Sequence, residues 1–216
     1  MFINQLSANP TYFFAVIITV VISITIHELA HGYVAIKLGD RTPIDTGHMT
    51  LNPLVHMGLF SIALLFLAGI AFGSMPVDRT RLRGKYAESL VAIAGPASNL
   101  VLAVIALVSL GLLYRVDAFA SGSQVASNAQ TLLVVFGVMN IALFMFNLIP
   151  LPPLDGSMIL ANLSPAYRNL VSGQMAQGVM MMLFFAMFLG GGAIIFGVSE
   201  TIAFAILKPI AGMSGT

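Results

Sequence analysis

Three ionisable residues lie within five positions in the motif HELAH, residues 27–31. On a helix, His27 and His31 are one turn apart on the same face, which is the spacing that lets two imidazoles bind one metal ion. Glu28 points about 100° away around the helix, where its carboxylate can reach a water at the open coordination position of that metal. The motif is therefore typical of a zinc hydrolase in which the glutamate is the general base.

The surroundings of this motif are apolar. Apart from His27, Glu28 and His31, residues 11–36 carry no acidic, basic or histidine side chain. The whole chain is 58% hydrophobic and 8% charged, with a mean hydropathy of +0.98, which is typical of an integral membrane protein. Ionisable residues inside a membrane helix cost at least a few kcal/mol and are usually functional. We therefore expect HELAH to form a reactive site within the lipid bilayer.

Charge and cysteine content exclude other classes of function. Nine basic and eight acidic residues give a net charge of +1, so the chain has no strongly basic face and nucleic acid is not an expected partner. The absence of cysteine leaves histidine, aspartate and glutamate as the strong metal ligands.

A catalytic zinc ion commonly has three protein ligands and one water, so a third ligand must come from elsewhere in the chain. Asp155 ends the segment NLIPLPPLDG, residues 147–156, directly after a long apolar run. Its three prolines prevent a regular helix, and irregular backbone at membrane depth faces protein or a water-filled cavity. An aspartate beside a turn glycine is the alternative interpretation of Asp155. The candidates for the third ligand are His48, His56, Asp45, Asp117, Asp155 and Glu200.

Several motifs together resemble a known family. HELAH, GPASN at 95–99 and NLIPLPPLDG at 147–156 resemble the site-2 protease family of intramembrane zinc metalloproteases. TLNPLVH at 50–56 is similar to its small bacterial branch, which has no inserted soluble domain. The resemblance covers about residues 12–160.

The resemblance implies a function for each matching residue. His27, His31 and Asp155 would bind one Zn²⁺ per chain, and Glu28 would be the catalytic base. Three further residues would contact the substrate or support the zinc ligands: Asn147, His56 and Asn99. Asn140 lies on the same helical face as Asn147, and a hydrogen bond between helices is its expected role.

The family resemblance also implies a substrate and a location. The substrate would be a membrane-spanning segment of another protein, cleaved within or near the lipid bilayer, in a bacterial cell (inner) membrane. Two departures from the small branch concern substrate contacts rather than the zinc site. Gly58 replaces an aspartate that usually follows the NPLVH histidine, and FGSMPVD at 72–78 replaces a Trp-Ala-Lys-Pro stretch.

Two other functions are alternatives to proteolysis. A membrane metal transporter would distribute its ligands along a path, whereas the candidates here gather at one depth beside a glutamate. A catalytically silent relative that only binds membrane partners is expected to lose Glu28 or a ligand, and this chain keeps all four residues.

The uncharged runs predict an all-α integral membrane protein, a bundle of transmembrane helices. We expect one domain over residues 1–216, with its core at about 12–160. Residues 161–216 would form a cytoplasmic loop and one or two further membrane helices, because the run 177–207 fits one helix or a hairpin. Residues 37–56 contain two prolines and predict a short extended or hairpin segment near the active site.

The predicted topology rests on one requirement. To bind the same metal ion, the HELAH and LPPLDG motifs must lie at the same depth in the membrane. HELAH and LPPLDG each end an apolar run, so these two runs must point the same way and one intervening run cannot cross. The weaker run is 57–77, whose apolar core Leu59–Phe72 has only 14 residues, and we predict that it is re-entrant. Arg115 is then on the side opposite to most basic residues, which places the N-terminus outside and the active site toward the cytoplasm. The residues on the cytoplasmic side would be Lys37, Arg41, Arg79, Arg81, Arg83, Lys85 and Arg168.

Overall fold

The computed structural model describes residues 1–120 and 122–212, and within these ranges it contains helices and irregular segments but no strand. The predicted all-α class is therefore confirmed. Two short 3-10 helices are Phe2–Asn4 and Arg79–Arg81. The α-helices in chain order are Gln5–Ala8 (α1), Pro10–Lys37 (α2), Thr42–Asp45 (α3), Pro53–Ala68 (α4), Ala87–Arg115 (α5), Gln124–Asn147 (α6), Asp155–Leu163 (α7), Pro165–Ser172 (α8) and Gln174–Ala211 (α9).

Four helices of the described part are long and apolar enough to cross a membrane: α2, α5, α6 and the Gly190–Ala211 portion of α9. α2 has 28 residues, more than the roughly 20 that cross a hydrocarbon core. It begins at Pro10, and the side chain of Asn9 accepts a hydrogen bond from the backbone of Tyr12, so its first turn is capped. α9 is helical throughout, so the chain forms one helix rather than a hairpin around the glycines at 190–192.

α2 and α6 run parallel to each other, with α5 antiparallel to both. Near the start of both parallel helices, Thr11 Oγ1 donates a hydrogen bond to Asn128 Oδ1 at 3.1 Å. Further along α2, His27 lies beside Asp155, which follows the end of α6. The two apolar runs that carry the HELAH and LPPLDG motifs therefore point the same way.

α4 enters the bundle and the chain then returns beside it. The helix bends at Gly58 (φ 67°) and ends at Gly69, which also has a positive φ. The following segment is extended: Ser61 Oγ bonds to the backbone oxygen and nitrogen of Phe72, at 2.7 and 2.9 Å, and the Ser74 N–H donates to the His56 carbonyl. Residues 56 and 74 are therefore adjacent and the chain leaves this region on the side where it entered, as a re-entrant segment would; its place in a membrane stays a prediction.

Residues 38–52 do not form the hairpin that was one of the two forms expected for this region. They contain the single helical turn α3 and otherwise turns and irregular chain. The cause is Asp40, which is fully buried. Its carboxylate accepts the backbone N–H groups of Thr42 and Asp78, at 2.9 and 2.8 Å, so it replaces strand pairing as the partner of these donors.

Candidate metal centre

The metal-ligand candidates converge at one point between α2, α5 and α7. His27 and His31 are both buried, and their Nε2 atoms are 2.9 Å apart. Asp155 is the first residue of α7, after the proline-rich turn that ends α6, and its Oδ2 lies 3.1 Å from His27 Nε2 and 3.4 Å from His31 Nε2. Among the described residues these three form a group whose ligand atoms all lie within 4.8 Å of one another.

The donor set fits a cation. His31 Nδ1 lies 2.7 Å from the carbonyl oxygen of Val91, and since a carbonyl only accepts, this nitrogen carries the proton of the neutral ring. Nε2 of His31 therefore presents a lone pair to His27 and Asp155. Electron-pair donors at these distances repel one another unless a positive charge lies between them. Two imidazoles and one carboxylate also match the ligand types of catalytic zinc sites, which leave a fourth position open.

Gly95 of the GPASN motif explains how a helix can approach the two imidazoles so closely. A β-carbon placed on Gly95 would overlap Nε2 of both His27 and His31. α5 can therefore pass beside the imidazoles only because this position has no side chain. One turn further along α5, the Asn99 side chain is fully buried and its Oδ1 lies 2.6 Å from His27 Nδ1.

Glu28 is buried on α2, beside the metal-ligand group. The extended segment after α4 covers it, and a β-carbon on Gly73 would lie 2.7 Å from Glu28 Oε1. Sequence reasoning did not identify Gly73 as a site residue. The available signal was the departure FGSMPVD from the family pattern, because a glycine there permits the backbone to pass directly over the carboxylate.

His56 also lies in this region and is buried. Its Nε2 donates to the carbonyl oxygen of Thr50 at 2.7 Å, so its Nδ1 is left with a lone pair. That nitrogen is buried and has no hydrogen-bond partner within the described chain. His56 lies near Glu28.

The remaining candidates lie elsewhere or have ordinary partners. The Asn147 amide donates to the Leu143 carbonyl of its own helix at 3.0 Å. His48 is bonded to Thr46 in the exposed loop, and Asp45 is 3.7 Å from Arg81. Of the six residues considered as the third ligand, the structure thus places Asp155 with the two histidines.

Comparison with known proteins adds independent evidence. The chain matches the model of "Peptidase family M50" over residues 15–191. It is 41% identical over 153 residues to "Putative zinc metalloprotease YwhC" of Bacillus subtilis (strain 168), a match that covers 69% of this chain and 68% of that protein. No solved structure matches the chain significantly.

More distant relatives carry similar names. "Putative zinc metalloprotease Rip2" of Mycolicibacterium smegmatis is 32% identical, over 67% of this chain and 55% of that protein. "Zinc metalloprotease MJ0392" of Methanocaldococcus jannaschii is 30% identical, over 79% of this chain and 41% of that protein. Because the family model extends from the first membrane helix past the LDG motif, the chain belongs to peptidase family M50, the site-2 protease family, and is a zinc metalloprotease.

Proposed function

We propose that the protein hydrolyses peptide bonds within or near the membrane-spanning segments of other proteins. The observation that carries this proposal is the convergence of His27, His31 and Asp155 beside the buried Glu28, inside a bundle of membrane-length helices. Apolar helices enclose this site, so a soluble protein substrate would not readily reach it. A membrane-spanning helix can reach it by lateral movement, after which it must unwind locally because its peptide groups are bonded to one another.

In the proposed reaction His27, His31 and Asp155 hold one zinc ion. When bound, the zinc ion would act as a Lewis acid, which polarises a peptide carbonyl and makes a water at the site more acidic. Glu28 accepts the proton of the attacking water and then donates it to the leaving amine as the C–N bond breaks. The segment at Gly73 lies against the Glu28 carboxylate and would hold it in position for both proton transfers.

Three supporting residues have proposed roles that fit their contacts. Asn99 orients His27 through the hydrogen bond at 2.6 Å. His56 Nδ1 is buried and has no partner within the described chain; when the substrate displaces the covering segment, this nitrogen accepts an N–H group of the unwound substrate. Asn147 uses one amide hydrogen for Leu143 and offers the other to a substrate carbonyl, a role implied by the family resemblance.

The proposed orientation places the N-terminus outside and the active site toward the cytoplasmic side of a cell membrane. The basic segment after α4 lies at the HELAH end of the bundle, since the Arg83 N–H donates to the Leu38 carbonyl at 2.8 Å. Arg79 and Arg168 both approach Glu88 at that end. Arg115 closes α5 at the other end. Basic residues accumulate on the cytoplasmic side, which supports this orientation. We also propose that the whole chain forms one domain.

The experiment that tests this function compares the wild type with Glu28→Gln in detergent. A panel of single-span proteins is incubated with each, and bound zinc is quantified in the same samples. We expect Glu28→Gln to keep its zinc but to lose about 10²- to 10⁴-fold of the cleavage rate, because an amide cannot accept the proton. The control is Glu200→Gln, which neutralises another glutamate of an apolar helix, α9, and should cleave normally.

Each contrary result has a distinct meaning. Cleavage by Glu28→Gln within a few-fold of the wild type would refute the general-base role. A metal transporter or a silent binder would show bound zinc without cleavage in any sample. Loss of zinc from Glu28→Gln would mean that Glu28 is a ligand.

A further inference from the structure

A chain of buried amides leads from the metal centre into α6. Asn99 Nδ2 donates to Asn140 Oδ1 at 2.9 Å, and Asn140 Nδ2 donates to the carbonyl oxygen of Phe136 at 2.9 Å. Asn99 and Asn140 are both fully buried. Asn140 is two hydrogen bonds away from His27 Nδ1 and has no part in the chemistry proposed above.

The direction of every hydrogen bond in this chain follows from its far end. The Phe136 carbonyl can only accept, so the NH₂ group of Asn140 must point toward it. Asn140 Oδ1 then faces Asn99 and requires a donor, which is Asn99 Nδ2. Asn99 Oδ1 is therefore the atom that faces His27, and it requires a proton on His27 Nδ1. The Nε2 lone pair of His27 is left free to bind a cation.

The two histidines thus obtain the same tautomer by different means. His31 Nδ1 faces the carbonyl of Val91, whose polarity cannot change. His27 Nδ1 faces a side-chain amide, whose oxygen and nitrogen exchange places in a simple flip. A flipped Asn99 would offer an N–H to His27 Nδ1 and would favour the tautomer with its proton on Nε2, which cannot bind a metal there. With Asn140 present, a flip would bring Asn99 Oδ1 against Asn140 Oδ1, and these two acceptors would repel each other.

We propose that Asn140 is a positioning residue for the metal centre: it locks the amide of Asn99 and thereby holds the proton of His27 on Nδ1. This inference rests on the proposed function, since it concerns the zinc ligand His27. It gives Asn140 a role beyond that of an ordinary hydrogen bond between helices. Outer partners of metal-binding histidines commonly change metal affinity by about 10- to 100-fold when they are removed.

The same pair of helices provides a matched control. Gln130 Nε2 on α6 donates to the Tyr114 hydroxyl on α5 at 2.6 Å, ten residues before Asn140. Gln130→Leu removes a polar contact between α5 and α6 without a link to His27. If Asn140 only joined the two helices, Asn140→Leu and Gln130→Leu would affect zinc affinity alike.

The conservative variant Asn140→Asp separates polarity from packing. An aspartate accepts from Asn99 Nδ2 whether or not it is ionised, and its protonated form can also donate to the Phe136 carbonyl. The orientation of Asn99 is therefore preserved. Asn140→Leu has a side chain of similar size but neither donor nor acceptor, so the Asn99 amide is free to flip.

The test measures zinc affinity of the full-length protein in detergent by competition with a chelator, together with the thermal unfolding temperature. We expect Asn140→Leu to bind zinc about 10- to 100-fold more weakly than the wild type, with Asn140→Asp and Gln130→Leu within about threefold of it. In cobalt-substituted protein, the visible spectrum of Asn140→Leu should also change, since one imidazole is no longer held in its binding tautomer.

Wild-type zinc affinity in a folded Asn140→Leu would overturn the inference while leaving the proposed function intact. An equal loss of affinity in Gln130→Leu would reduce Asn140 to a helix contact and would also overturn it. If the wild type itself bound no zinc, the inference and the proposed function would both fail.

Discussion

Gly73 lies against Glu28 so closely that a β-carbon on Gly73 would be 2.7 Å from Oε1 and 2.9 Å from Cγ of the glutamate. The same β-carbon would meet Ile24 one turn earlier on α2. Neither neighbour can move away easily, because both are buried. The backbone around Gly73 therefore fixes the position of Glu28, the proposed general base, although this segment does not itself bind the metal.

Gly73→Ala should lower the cleavage rate by displacing Glu28 while leaving the zinc ligands in place. A misplacement of about 1 Å at a reacting group can cost on the order of 10²-fold in rate, and we expect a loss of this size with normal zinc content. Gly197→Ala is the control, because a β-carbon there meets nothing within 4 Å. Unchanged cleavage in Gly73→Ala would show that the segment yields and does not position the carboxylate.

Removal of single ligands should identify the metal site. His27→Ala and Asp155→Ala should each lose most of the bound zinc, since the remaining ligands no longer form a three-coordinate site. His48→Ala removes a half-buried histidine that is bonded to Thr46 and should retain about one zinc per chain. The measurement is metal analysis of purified protein, and full occupancy in His27→Ala would contradict the assignment.

The sequence predicted the parts of this architecture that depend on local pattern or on membrane geometry. The four-residue spacing of His27 and His31 requires only a helix. The return of 57–77 to the side on which it starts follows from the shared depth of HELAH and Asp155, given that Leu59–Phe72 is short. These inferences use periodicity and length, which a single sequence contains.

Contacts between distant segments had no such signal. Asn140 was expected to bond another helix, but its partner Asn99 is 41 residues away, and nothing local indicates that this partner holds His27. The hairpin, one of the two forms expected for 37–56, is absent for a similar reason, because Asp40 bonds the backbone of Asp78, 38 residues later. The Asp40 carboxylate accepts the backbone N–H groups that a paired strand would otherwise have bonded.

Asp40 should stabilise the fold in a pH-dependent way. Burial alone would raise the pKa of Asp40, but hydrogen bonds from the Thr42 side chain and from the backbone of Thr42 and Asp78 lower it overall below 3.8. A lowered pKa in the folded state contributes stability that is present above the unfolded pKa and is lost as the pH falls through the folded pKa. Acid should therefore weaken this loop below about pH 4.

Asp40→Ala is expected to cost about 1–3 kcal/mol at pH 7, because it leaves the partly buried N–H groups of Thr42 and Asp78 without their acceptor. The difference from the wild type in thermal unfolding should shrink as the pH is lowered toward 3. Asp45→Ala, which loses an exposed ion pair with Arg81, should cost no more than about 1 kcal/mol. A constant difference between Asp40→Ala and the wild type across this pH range would contradict the role of the ionised carboxylate.

Single cysteines can test the membrane orientation, because the chain contains no native cysteine. Arg41→Cys and Lys85→Cys place exposed thiols at the HELAH end of the bundle, and Val125→Cys places one at the start of α6, where the valine is exposed. With the cytoplasmic side assigned from the basic residues, an impermeant thiol reagent added to intact cells should label only Val125→Cys. Labelling of Arg41→Cys and Lys85→Cys instead would invert the orientation. Labelling of only one of them would mean that the segment between them crosses the membrane.

His56 can be tested one nitrogen at a time. His56→Gln keeps a donor that can reach the Thr50 carbonyl but has no acceptor at the position of Nδ1. His56→Asn has the opposite properties, since its amide oxygen lies near the former Nδ1 and its side chain is too short for Thr50. If Nδ1 accepts a substrate N–H, His56→Gln should cleave about 3- to 10-fold more slowly, which corresponds to one lost neutral hydrogen bond. His56→Asn should cleave faster than His56→Gln but unfold at a lower temperature, because it loses the bond of 2.7 Å to Thr50.

The measurements are the cleavage rate of a single-span substrate and the unfolding temperature of the same samples. Equal cleavage by His56→Gln and the wild type would mean that the substrate does not use Nδ1, and that His56 only fastens the start of the re-entrant segment.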